Sequence, residues 1–206
     1  ERIGAVFPED GILGEEYGLE PGTTGATWVL DPIDGTVPFL HGMPSWCVAI
    51  AVVAAGRTVT AAVAVPAEGT LLAARAGGGA TLDGAPMRID PAVTLQAMPV
   101  GLGASHRSDP ETIAGAVRDL MQAGGVFFRN GSGALMLSYV AAGRLSGYFE
   151  PHMHAWDCLG AMLLIEEAGG ICAPLGPDGH DPFTGGRVLA AVPGAEADLM
   201  RLFGTA

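Results

Sequence analysis

The stretch Trp28–Thr36, WVLDPIDGT, decides the reading of this chain. Trp28, Val29 and Leu30 are apolar and β-prone, and they run straight into Asp31 and Asp34, two carboxylates three residues apart among a proline, a glycine and a threonine. Pro32 biases Asp31 toward extended backbone, so a strand over 27–31 delivers its side chain to the strand's end. Gly35 permits a sharp turn, and Thr36 is placed to cap a short helix suggested by VPFLHG. Two carboxylates then converge beside a helix N-terminus. Like charges this close repel until a proton or a cation relieves them, and a helix N-terminus favours an anion such as phosphate. Carboxylates, a cation and a phosphate slot are the parts of a metal-assisted phosphoryl hydrolase. An isolated D-x-x-D is most often an ordinary turn; the string DPIDGT is far more specific.

Upstream, the opening ERIGAVFPEDGILGEEYG reads as polar and turn-rich around one short apolar piece, with Glu15 and Glu16 in a loop before the strand. Downstream, residues 46–89 are β-rich runs broken by Ala-Gly-Arg, Pro-Ala-Glu-Gly, Gly-Gly-Gly and Asp-Gly, a meander of antiparallel strands. GGGATLDG has no helix after it, so it reads as a hairpin rather than a phosphate loop.

The second half alternates strands and helices. MPVGLGAS, GVFFR, RLSGYFE and GRVLAAVP read as strands. A helix follows Asp109 as N-cap with Pro110 in its first position. SGALMLSYVAAG is a buried helix capped by Ser132 and stopped at Gly143. WDCLGAMLLIEEAGG is a helix with Asp157 in its first turn, locally an N-cap, and Glu166 and Glu167 late in it as structural or solvated groups. A last helix covers 195–203. Hairpins first and alternation later predict a layered α+β or α/β architecture.

Composition narrows the function. At 206 residues the chain holds one large domain or two small ones, and with 49% apolar residues it is not disordered. A net charge of −12 disfavours a phosphate backbone as partner, so no nucleic-acid binding is expected. Cys47, Cys158 and Cys172 form no C-x-x-C pair and read as buried thiols in a reducing cytoplasm. No apolar run is long enough to span a bilayer. His152 and His154 lack a third partner spaced for zinc. The chain begins at Glu1 without a methionine and enters a motif almost at once, so an N-terminal portion is expected to be missing.

GEE, WVLDPIDGT, FLHGMPSWCVAIAV and WDCLGAMLLIEEAGG, in this order, resemble the inositol monophosphatase family of lithium-sensitive, magnesium-dependent phosphatases over nearly the whole chain. The resemblance implies an αβαβα sandwich of the sugar-phosphatase type, here without the family's N-terminal helices. It implies a single domain over 1–206 with lobes near 1–95 and 96–206, and a homodimer. It implies two or three Mg²⁺ per site. Glu15 would ligate the first metal with the Ile33 carbonyl, Asp31 would bridge, and Asp34 and Asp157 would hold the second. Gly35 and Thr36 would offer N–H groups to phosphate, and the Thr36 hydroxyl would orient a metal-activated water for in-line attack. Glu150 would accept hydroxyls of a phosphorylated polyol, inositol 1-phosphate foremost, while Gly131, Ser132 and Gly133 line its ring. Relatives using the same metal site act on histidinol phosphate, fructose 1,6-bisphosphate or 3′-phosphoadenosine 5′-phosphate. A non-catalytic metal-binding scaffold is the rival from another class. The family's N-terminal region supplies a further water-activating aspartate that nothing before Glu1 provides here. Pro38, Gly133 and Ser146 depart from the family pattern at positions that bear on specificity.

Overall fold

A computed structural model describes residues 2–175 and 181–204. After a short helix α1 (Arg2–Val6), the first half of the chain forms β1 (Gly11–Gly14), β2 (Gly18–Glu20), β3 (Ala26–Asp34), helix α2 (Thr36–Leu40), and then β4 (Cys47–Ala54), β5 (Arg57–Val65), β6 (Thr70–Arg75), β7 (Gly79–Leu82) and β8 (Ala85–Met87). These strands make one eight-stranded sheet in the order β2-β1-β3-β4-β5-β6-β7-β8. The meander over 46–89 is present as expected. The opening segment is more ordered than its composition suggests: β1 and β2 form a hairpin, and β1 pairs in parallel with β3, Gly14 opposite Leu30. Asp10 ties this corner down, accepting from the Trp28 indole at 2.9 Å and from Thr24 Oγ1 at 2.6 Å.

The second half supplies β9 (Val100–Leu102), α3 (Pro110–Gln122), β10 (Phe127–Phe128), α4 (Gly133–Ala141), β11 (Gly147–Met153), α5 (Ala155–Ala168), β12 (Ile171–Cys172), β13 (Gly186–Ala191) and α6 (Glu196–Phe203). Its five strands order as β10-β9-β11-β13-β12. β12 is a two-residue strand that the sequence reading did not find, and β11 starts at Gly147 rather than Arg144.

Helices α4 and α5 lie between the two sheets. Both are apolar on nearly every side, the signature of a helix covered all round, and α5 packs across β3 to β7 while α4 packs on β11. The alternating alanines Ala49, Ala51, Ala61 and Ala74 keep the inner face of the large sheet low. Gly160 brings the α5 backbone close to it, since a Cβ there would stand 3.2 Å from the Ile50 carbonyl. β11 sorts its side chains by pleat: Phe149 stacks on Phe203 of α6 at 4.6 Å, while Tyr148 and Glu150 point the other way, toward the start of α4. The order is therefore sheet, helix pair, sheet, helix pair, a layered α+β fold with α3 and α6 on the far side of the small sheet. One hydrophobic cluster runs through all of it, from Leu13 to Phe203.

Glu167, near the end of α5, is structural. Its carboxylate accepts from Gly77 N and Gly79 N, each at 2.7 Å, so the glycine-rich hairpin wraps a side chain of the protein itself.

Candidate active site

β3 does not end at Asp31. It continues to Asp34, with Asp31 opposite Ala49 and Asp34 opposite Cys47, so three steps on β3 match two on β4. Residues three apart on a regular strand face opposite sides of the sheet. The extra residue is a β-bulge, and it turns both carboxylates to the inner face, toward α5. Gly35 follows at φ 89°, and a Cβ there would lie 2.8 Å from the Ser45 carbonyl and 2.9 Å from Ser132 Cβ. Only glycine satisfies both the left-handed backbone and that approach. Gly35, not Thr36, is the N-cap of α2. Thr36 is the first helical residue, and its hydroxyl donates back to the Ile33 carbonyl at 3.1 Å.

Asp157 reaches the same point from the other half of the chain. It is the third residue of α5, and its carboxylate accepts from His154 N at 3.1 Å. His154 holds the N-cap position expected of Asp157. Carboxylate oxygens of Asp31, Asp34 and Asp157 all lie within 4.8 Å of one another. Asp31 is 1% exposed and Asp34 9%. Burial, then the neighbouring Asp34 and Asp157 charges, push Asp31 up to about 8. Burial and Asp34 push Asp157 up to about 7, and burial raises Asp34. Among the described residues no lysine, arginine or histidine pairs with any of the three. Such a largely buried, all-oxygen donor set suits a hard divalent cation. Glu15 stands in the turn after β1, one position past the Gly14–Leu30 pair and so beside Asp31. It is exposed, outside the tight trio, and borders a groove with Tyr17, Leu30 and Pro32.

Asp34 is held firmly. One oxygen, Oδ2, accepts from Ser132 Oγ and from Ala134 N at 2.8 Å, and Cys47 Sγ lies 3.8 Å away. Ser132 is 0% exposed and lies behind the cleft wall, so it does not line a ring site as expected. It is the N-cap of α4, accepting from Leu135 N at 3.3 Å.

A cleft of about 150 Å³ opens beside Asp34 and Asp157, and Gly131, Gly133 and Glu150 line it. Glu150 is buried, and the Tyr148 hydroxyl donates to its Oε2. Gly103 makes room for the pair, because a Cβ there would come within 2.2 Å of both side chains. Arg107 and Arg129 bring positive charge to the same cleft. Tyr148 and the two arginines escaped the sequence reading. Tyr148 was legible, since residues two apart on a strand share a face; the arginines lie on loops without periodicity. Gly131 rests against Pro38, which is how that departure from the family pattern is accommodated. Ser146 is buried and donates to the carbonyls of Met98 and Pro99, away from the cleft. His152 and His154 sit ring to ring at 5.3 Å, with His154 stacked on Trp156. All three cysteines are free thiols, Cys47 and Cys158 buried and Cys172 half-buried.

Residues 1–203 match the family model described as the inositol monophosphatase family. An inositol-1-monophosphatase of Rhizobium meliloti is 40% identical over 173 residues, 82% of this chain and 65% of that protein. A protein of Xylella fastidiosa named Nus factor SuhB is 39% identical over 181 residues, 86% of this chain and 66% of that protein. The chain thus spans just under two thirds of the length of each of these relatives. In three dimensions, the extragenic suppressor protein suhB of Bartonella henselae superposes with a TM-score of 0.89 at 30% identity, covering 97% of this chain and 78% of that one.

Proposed function

The chain belongs to the inositol monophosphatase family, and from that premise we propose that it hydrolyses a small phosphomonoester with the aid of divalent cations held by Asp31, Asp34 and Asp157. The convergence of two buried carboxylates from β3 and the half-buried Asp157 of α5 on one point, at the edge of a cleft, carries the reading. The oxygen donor set, which no basic side chain pairs with among the described residues, fits Mg²⁺, with Glu15 and the Ile33 carbonyl completing the site on the β1 side. Bound there, magnesium would supply Lewis acidity, activating water and neutralising phosphoryl charge.

The chain's own residues do the rest. Asp31, which feels the charges of Asp34, Asp157 and Glu15 together, would serve more than one cation. Its Oδ1 is fixed by the Ile33 N–H at 2.9 Å. Thr36 keeps its hydroxyl beside the Ile33 carbonyl, with a lone pair free to orient water. Gly35 and Thr36 offer backbone N–H groups to the phosphate. Glu150 gives the alcohol part of the substrate a carboxylate acceptor, which suits neighbouring hydroxyls of a polyol. Inositol 1-phosphate is the favoured substrate. The R. meliloti relative is named inositol-1-monophosphatase. Histidinol phosphate, fructose 1,6-bisphosphate and 3′-phosphoadenosine 5′-phosphate are the alternatives for the same metal site.

Phosphate release over that panel tests the proposal. It expects turnover with Mg²⁺, lost in EDTA and in Asp31→Asn, and inhibited by millimolar-range Li⁺. No turnover on any member of the panel would refute it and favour the second reading, a non-catalytic metal-binding scaffold. That reading draws on relatives named Nus factor SuhB. A homodimer and a cytoplasmic setting belong to the same proposal. Exposed Val37, Leu40, Val126 and Phe127 support the first and three free thiols the second. Among the described residues no helix is long and apolar enough to cross a membrane. Light scattering in solution measures the oligomer directly, and a monomer at working concentration would remove the dimer from the proposal.

A further inference from the structure

Ser132 has two jobs, and its place in the sequence shows only the first. Its oxygen accepts the Leu135 N–H at 3.3 Å and so caps α4. That bond occupies a lone pair and leaves the hydroxyl hydrogen for another acceptor, which is Asp34 Oδ2. The same Oδ2 takes the Ala134 N–H at 2.8 Å. Both lone pairs of Oδ2 are then engaged, and Oδ1 is the oxygen left for a cation. The contact is dry, because Ser132 is 0% exposed and Cys47, also 0% exposed, closes it at 3.8 Å from both Ser132 Oγ and Asp34 Oδ2. Gly35 seals the other side, within a methyl group's reach of Ser132 Cβ.

We propose that Ser132 is a positioning residue for metal binding: its hydroxyl fixes which oxygen of Asp34 ligates, and so couples the start of α4 to the cation site. The proposal rests on the metal reading above and adds a residue that touches neither metal nor substrate. Outer groups that orient a ligating carboxylate are worth about 10- to 100-fold in metal affinity.

The test is Mn²⁺ alone, titrated into the full chain and followed by the electron paramagnetic resonance of the free ion. Glycine is nearly as good an N-cap as serine, so Ser132→Gly removes the hydroxyl while sparing the helix start. It is expected to weaken Mn²⁺ binding about 10- to 100-fold and to melt in EDTA close to the parent chain. Asp109→Ala is the control. Asp109 caps α3 by accepting Thr112 N at 2.9 Å, far along the chain and exposed. Losing that cap is expected to leave Mn²⁺ affinity unchanged. Should Ser132→Gly not fold, Ser132→Ala reads the same quantity. Binding by Ser132→Gly within about twofold of the parent overturns the proposal alone, and so does an equal loss in Asp109→Ala. Failure of the parent chain itself to bind Mn²⁺ overturns the metal reading together with it.

Discussion

Replacing Asp31 by asparagine should make the metal-free protein more stable while destroying its response to magnesium. Asp31 is held at about 8 against an ordinary 3.8, first by burial and then by the Asp34 and Asp157 charges. Between those two values the folded chain keeps a proton on Asp31 that the unfolded chain has released. Stability therefore falls as pH rises from about 4 to about 8 and is level above. At about 1.4 kcal/mol per tenfold change in proton affinity, the full penalty above pH 8 is about 6 kcal/mol. Asparagine carries no charge, and its Oδ1 can still accept the Ile33 N–H. In EDTA at pH 8.5, Asp31→Asn should thus gain most of that amount, about 10–20 °C in melting temperature for a chain of this size. At pH 5 the gain should shrink to about 1–2 kcal/mol. Saturating Mg²⁺ should reverse the order, raising the melting temperature of the parent and leaving that of the variant unmoved. Differential scanning calorimetry over pH 5–9, with EDTA and with Mg²⁺, measures all of this. A variant that melts no higher than its parent in EDTA at pH 8.5 would show that these carboxylates do not crowd one another in a dry site.

The other expectations concern separate parts of the molecule. Asp157→Asn and Asp34→Asn should each lower Mg²⁺-dependent turnover by more than about 100-fold, beyond the range of outer-sphere changes; steady-state kinetics at saturating metal decides. Mg²⁺ affinity should rise with pH through 7–8, because Asp157 near 7 and Asp31 near 8 must release protons to ligate; calorimetric titration in buffers of different ionisation heat counts those protons. Tyr148→Phe frees Glu150 from its hydrogen-bond partner and should raise KM for inositol 1-phosphate about tenfold, the worth of one hydrogen bond, with KM for p-nitrophenyl phosphate unchanged. Glu167→Ala removes the acceptor of the Gly77 and Gly79 amides, which water can then reach, and should cost about 1 kcal/mol, seen as a lower denaturation midpoint at unaltered kcat.

Much of this architecture is legible from local chemistry. Asp109 before Pro110 and Ser132 before an apolar run mark α3 and α4, because capping is decided within a few residues. The β4 to β8 meander announces itself through its turns. What stays hidden is nonlocal. β1 is four residues, GILG, with glycine at both ends, and its partner is a parallel strand beyond a hairpin. β12 is two residues long and exists by pairing with β13. Thr36 and Asp157 look like N-caps because their side chains are suited to it; backbone conformation gives that role to Gly35 and His154 instead. Ser132 matches a ring-lining loop by position, and only the packing of Asp34, Cys47 and Gly35 around it shows that it faces inward.

The bulge in β3 makes the spacing of the motif a matter of parity. Between Asp31 and Asp34 an odd count of peptide steps is corrected by one surplus residue. Excising either Pro32 or Ile33 would restore an even cadence and still leave both acids on the inner side, whereas smoothing the strand without shortening it would swing Asp34 out to solvent. Homologous sites can therefore drift in the residues that fill the kink, but not in the kink's arithmetic, and insertions or deletions there are far more informative than substitutions.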